Sequence, residues 1–218
     1  MRSWFGRLFN WGGRSPEAET LAEPAPLADP VGELRAVIRR DVQGGFRDED
    51  AILTGLEDYL GDEIDPALIR REAPRLLREA LAEHRAAAAS WPGETDCDRL
   101  DAAFAALEAD GVIARQNFSC CGTCGTSEIW EEVDEAQQAG LPAHGYAFFH
   151  MQDTEHAVEG HGLHLNYGAC EDGEAAALAV GREIVAALEA EGLETDWDGS
   201  WSTRIAVAID WKKRRGVA

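Results

Sequence analysis

Between residues 31 and 90 the apolar residues recur only at helical spacing, and nowhere do they alternate as a half-buried strand requires. Leu34, Val37, Ile38 and Val42 form one stripe, ended by Gly44-Gly45. Ile52, Leu53, Leu56 and Leu60 form the next, which Asp48 or Asp50 can cap. Asp65-Pro66 is a cap followed by proline at the first helical position. A long helix follows through Leu68, Ile69, Leu76, Leu77 and Leu81 to Ala89, with Pro74 expected to kink or restart it. His84 stands alone in this stretch and reads as a surface or capping residue.

After Trp91 the texture changes. Thr95 or Asp96 can cap a helix carrying Leu100, Phe104 and Leu107, stopped by Asp110-Gly111. A strand is predicted over 112–118, a helix over about 127–139, a strand over 146–151 and a short helix or turn over 153–158, with Asp153 as its N-cap. A strand over 163–167, a helix over 174–191 and strands over 193–197 and 204–211 complete the chain, the last two joined at Asp198-Gly199. This pattern predicts an α+β protein: an N-terminal helical segment, then a mixed, mostly antiparallel sheet with helices packed on one side. The expected organisation is an N-terminal arm and linker (1–30), a helical segment (31–90) and an α+β region (91–218). Residues 31–218 are open to being one unit.

The arm has its own character. Trp4, Phe5, Leu8, Phe9 and Trp11 are spaced for one face of a short helix flanked by Arg2 and Arg7. Residues 1–14 are therefore expected either to touch an anionic membrane surface or partner, or to be a frayed end with a few aromatics. Residues 15–30 hold four of the eight prolines and read as a disordered linker.

Charge narrows the partners. The 218 residues carry 20 Lys+Arg against 41 Asp+Glu, a net charge of −21, and seven of the cations sit in residues 1–14 and 212–215. Such a body repels phosphate backbones, so general nucleic-acid binding is not expected. A basic protein partner and simple solubility both remain open. No stretch approaches 18 consecutive apolar residues. The five cysteines are odd in number and three fall within five residues, which is not the framework of a disulfide-stapled domain. Reduced thiols and a cytoplasmic location are expected.

The concentrated chemistry is Asn117-Phe-Ser-Cys-Cys-Gly-Thr-Cys-Gly125. Cys121 and Cys124 have the spacing that lets two sulfurs meet one tetrahedral ion, and Gly122 lets the turn close. Cys120 adds a third sulfur if the backbone twists. His150, at the end of the next strand, is the candidate fourth ligand, with Cys170 and Cys97 in reserve; zinc is the expected metal. The same Cys-x-x-Cys, set before a helix, also suits thiol redox chemistry. Small buried cysteines without chemistry are the third reading.

A second group, Phe148-Phe-His-Met-Gln-Asp-Thr-Glu-His156, gathers imidazoles and carboxylates at one strand end, with His161 and His164 following. It suits metal ligation or acid–base work by His150 with Asp153 or Glu155, or else simple helix capping. For an enzyme the candidate catalytic residues are Cys121, His150 and Asp153. Trp197, Trp201 and Trp211 form either a ligand shelf or part of the core. No phosphate loop, dinucleotide fingerprint, nucleophile elbow or zincin helix is present.

Four separated blocks carry a resemblance: Trp91-Pro92 with 95–104, Gly111 to Cys121, Gly145 to Glu155, and Asp196 to Gly199 with Arg204-Ile205. Over roughly residues 31–215 the chain resembles an uncharacterised bacterial family, domain of unknown function 6891. The resemblance implies an intact domain and no particular reaction. Three functions stay open: a binding module with a Cys/His zinc site, a thiol-dependent or His/Asp enzyme, and an acidic interaction or immunity-type protein.

Overall fold

The computed structural model describes residues 27–216. The aromatic arm (1–14), residues 15–26 of the linker and residues 217–218 lie outside the described residues.

Three helices come first: α1 (Pro30–Gly44), α2 (Glu49–Leu60) and α3 (Pro66–Ala88). Asp29, Asp48 and Asp65 cap them, each carboxylate accepting a first-turn backbone N–H. Helix α3 runs unbroken through Pro74. Its apolar face holds it straight enough to continue: Ile69, Ala73, Leu76 and Leu77 bury against Leu34, Ile38, Ile52 and Leu56 in one core cluster. Each such aliphatic side chain contributes about 1.5–3 kcal/mol on burial, enough to offset one lost backbone bond.

The α+β region follows: α4 (Asp96–Asp110), β1 (Val112–Arg115), α5 (Gly122–Gln138), β2 (Gly145–Phe148), α6 (Met151–Val158), β3 (Leu163–Ala169), α7 (Glu174–Ala190), β4 (Glu194–Asp196) and β5 (Ile205–Ala208). A reciprocal capping box between Thr95 and Asp98 starts α4, and Gly111 ends it in the left-handed region at φ 92°. The five strands lie in the order β1-β2-β3-β5-β4. Because α5 carries the chain over as a crossover, β1 and β2 run parallel, while β2–β3, β3–β5 and β5–β4 are antiparallel. The class is α+β, and the parallel pair makes the sheet mixed.

Helices cover both faces, which corrects the one-sided expectation. Val112, Ala114, Ala147, Phe149, Leu163, Leu165, Ile205 and Val207 join Leu100, Phe104, Val180 and Ile184 of α4 and α7 in the main core. The alternate residues Ile113, Tyr146 and Phe148 bury against Ile129 and Val133 of α5. Strands this short show too few alternations for the sequence to reveal that both faces are apolar. Only the β1–β2 half of the second face is covered by α5.

After β5 the chain runs back as a strap. The Trp211 indole N–H donates to the Gln43 carbonyl at 3.1 Å. Lys213 pairs with Asp101 at 2.9 Å and Arg214 with Asp98 at 2.7 Å. Arg215 donates to the carbonyls of Val42 and Arg47. The basic C-terminal run is thus partly neutralised by α4 rather than presented outward. His84 is not the surface residue the sequence suggests: it is 7% exposed, its ring edge-on to Trp91. No helix among the described residues is long and apolar enough to cross a membrane.

Candidate metal centre

The link from β1 to α5 turns on two left-handed residues that are not glycine, Asn117 at φ 51° and Ser119 at φ 64°. Such backbone is costly and persists where neighbours over-determine it. Three do so here: the Phe118 N–H donates to the Phe149 carbonyl at 2.8 Å, the Met151 N–H to that of Ser119 at 3.2 Å, and the Thr154 hydroxyl to the Asn117 side-chain oxygen at 2.7 Å. The loop is thereby stitched to the start of α6.

Helix α5 begins at Gly122, five residues earlier than the sequence suggests, with Cys121 in the N-cap position. The low helix propensity of Gly-Thr-Cys-Gly hides this first turn. Its early start determines the site: Cys121 occupies the N-cap position, without a side-chain capping bond, and Cys124 lies in the opening turn. Together with Cys120 their sulfurs lie within 4.8 Å of one another. None is in a disulfide; Cys120 is exposed and the other two are half-buried. Gly125 permits this placement, because a Cβ there would lie 2.5 Å from the fully buried Phe148 ring.

The local field treats the thiols differently. Cys121 is held below the ordinary thiol range, first by the Cys124 backbone N–H, then by the Cys124 thiol and the Thr123 N–H. Cys124 is pushed up to about 11, first by its contact with Cys120 and then with Cys121. One negative sulfur is welcome at this helix start; a second beside it is resisted until a cation arrives.

His150 adjoins the cluster without belonging to it. Its ring rests against the turn, 3.5 Å from where a Gly122 Cβ would stand. Nδ1 accepts the Asp153 backbone N–H at 3.3 Å, and Nε2 lies 3.0 Å from the Asp153 carboxylate and 3.5 Å from the Arg204 guanidinium. His150, not Asp153, is therefore the N-cap of α6, and Asp153 is the third-position partner of a capping box. Asp153 is 1% exposed and is paired with Arg204 at 2.9 Å. Burial lowers the His150 pKa and Arg204 lowers it further, while Asp153 opposes them; the ring is held neutral.

Arg204 is the participant that sequence reasoning missed. A lone arginine before a strand carries no signature, and its partner is 51 residues away. Two further polar atoms nearby have no partner, His164 Nδ1 and Asn166 Nδ2 on β3. The other candidates lie apart. Cys97 is buried, its sulfur accepting the Lys212 N–H, and burial pushes its thiol up to about 12. Cys170 packs against the α5 cluster. Glu155 faces Arg40 at 3.6 Å, and His156 stands edge-on to His161. No tryptophan shelf forms: Trp197 and Trp211 pack on the core, and Trp201 is exposed.

The arrangement can therefore hold a metal ion through three sulfurs. No curated protein and no solved structure gives a significant match to the chain. Residues 28–215 match the family model described as "Domain of unknown function (DUF6891)", and the chain belongs to that family.

Proposed function

We propose that the protein is a metal-binding module in which Cys120, Cys121 and Cys124 supply three thiolates to a zinc ion. The observation carrying this reading is the convergence of three unoxidised sulfurs within 4.8 Å at the start of α5. Zinc–sulfur bonds of about 2.3 Å in a tetrahedron set sulfurs roughly 3.8 Å apart, so a small adjustment suffices. An all-sulfur donor set favours soft or borderline ions over magnesium or calcium. The raised Cys124 thiol fits the same picture, since a bound cation supplies the charge that its deprotonation lacks. His150 Nδ1 accepts the Asp153 N–H, and Nε2 lies among the Asp153 carboxylate and the Arg204 guanidinium, which leaves the fourth position to water or an exchangeable donor unless the imidazole turns away from them. An open fourth position suits a module that binds something through its metal.

The test is zinc content by plasma mass spectrometry on protein purified under reducing conditions, with the free-thiol titre measured alongside. One zinc per chain is expected, lost in Cys121→Ser and Cys124→Ser. A metal-free protein that also fails to take up added zinc contradicts the reading. One observation favours thiol chemistry as a second reading: a free Cys-x-x-Cys pair sits in the N-cap and first turn of α5, where the helix dipole favours a thiolate. Alkylation of Cys121 at neutral pH no faster than that of Cys170 removes that alternative.

A further inference from the structure

We propose a second site, independent of the thiols: a cleft beside the C-terminal ends of α1 and α3 that binds a small ligand carrying phosphate or carboxylate groups. The cleft has a volume of about 580 Å³, within the range of small-molecule sites. Four arginines line it: Arg47, Arg85, Arg214 and Arg215. This is a large share for one cleft in a chain whose acids outnumber its bases two to one.

Two of these charges are already met, Arg47 by Asp41 and Arg214 by Asp98. The other two are not. Among the described residues no carboxylate lies within ion-pair distance of Arg85. Among the described residues Arg215 makes no ion pair and donates to the carbonyls of Val42 and Arg47, with Asp41 the nearby acid that feels its charge. Arg85 complements the C-terminal dipole of α3, which accounts for one cation at the rim. It does not account for His84. That ring also lines the cleft, is 7% exposed, and its Nε2 has no hydrogen-bond partner. A buried imidazole nitrogen left unpaired is costly, and a polar group on the body of the ligand, donor or acceptor according to the ring tautomer, can satisfy it. Phe46, Leu81 and Ala88 add an apolar wall for the body of the ligand. Asp48 and Glu49, at the start of α2, also line the cleft close to Arg215, whose guanidinium donates to the Arg47 carbonyl, and disfavour an anion beside them. The oxyanion therefore belongs beside Arg85 on the last turn of α3, where a planar guanidinium pairs with phosphate or carboxylate in the same way.

The test is calorimetric titration of the full chain with inorganic pyrophosphate and, separately, citrate, with ionic strength held constant by sodium chloride. Binding of at least one is expected. Binding of pyrophosphate alone identifies a phosphate ligand, and binding of citrate alone a carboxylate. Arg85→Gln keeps the side-chain stem on an exposed position and should weaken binding at least about tenfold, a loss of about 1.4 kcal/mol. Arg182→Ala, on α7 outside the cleft, should leave binding unchanged. Binding of neither anion, or equal binding by Arg85→Gln, overturns the proposal. Zinc content is unaffected by either result, so this site and the thiol site stand or fall separately.

Discussion

Gly125 shows how closely the thiol site is tied to the core. Its missing side chain is replaced by the edge of Phe148, so Gly125→Ala forces either that ring or the first turn of α5 to move. A loss of about 1–3 kcal/mol is expected from urea unfolding, the usual range for overpacking. Zinc uptake should weaken with it, because the same turn sets the sulfur spacing. Asp153 makes the complementary case. Removing Arg204 strands a carboxylate that is 1% exposed. Since the Arg204 side chain is itself 40% exposed, Arg204→Ala should cost about 1–3 kcal/mol, less than the 3–5 of a wholly buried pair. At this scale the sequence revealed the cysteines, because their spacing is local. It also revealed His150 and Asp153 as a pair but put Asp153 at the N-cap, the position His150 holds, since aspartate is the commoner N-cap. Arg204 was invisible because its importance exists only across β5 and α6.

Among the elements, α3 sets propensity against packing. Pro74 lies inside the helix, where it removes one backbone hydrogen bond, yet the helix continues on the strength of its buried face. Pro74→Ala should therefore stabilise the protein by about 1–3 kcal/mol, read as a higher urea midpoint with an unchanged slope. No gain would mean that the helix has already relaxed around the proline. The α1–α3 stripes were legible residue by residue, since a 3.6-residue period survives over many turns. The sheet was less so. β1, β2 and β5 are four residues each, which blurs their ends and conceals that α5 is a crossover covering a second face. The start of α5 lies five residues earlier than expected, which moves Cys121 and Cys124 from before the helix into its N-cap and first turn.

For the molecule as a whole, acid weakens the fold through histidines that are buried or half-buried. His84, His150 and His164 are each lowered, chiefly by burial. The unfolded chain takes up protons near pH 6.5 that the folded chain refuses, so stability falls as pH drops from about 7.5 to about 5.5. Urea midpoints at those two values check this; a flat profile would mean that the imidazoles titrate freely. The composition made the negative body plain, but not that Lys213 and Arg214 are folded onto Asp101 and Asp98. Pairings between residues more than a hundred positions apart leave no pattern in sequence.

The most direct test is zinc-edge X-ray absorption on the reduced, zinc-loaded protein. The account expects a first shell with three sulfurs at about 2.3 Å and one lighter donor, reduced to fewer sulfurs in Cys124→Ser. A shell of nitrogen and oxygen alone, or an unchanged sulfur count in that variant, would contradict it.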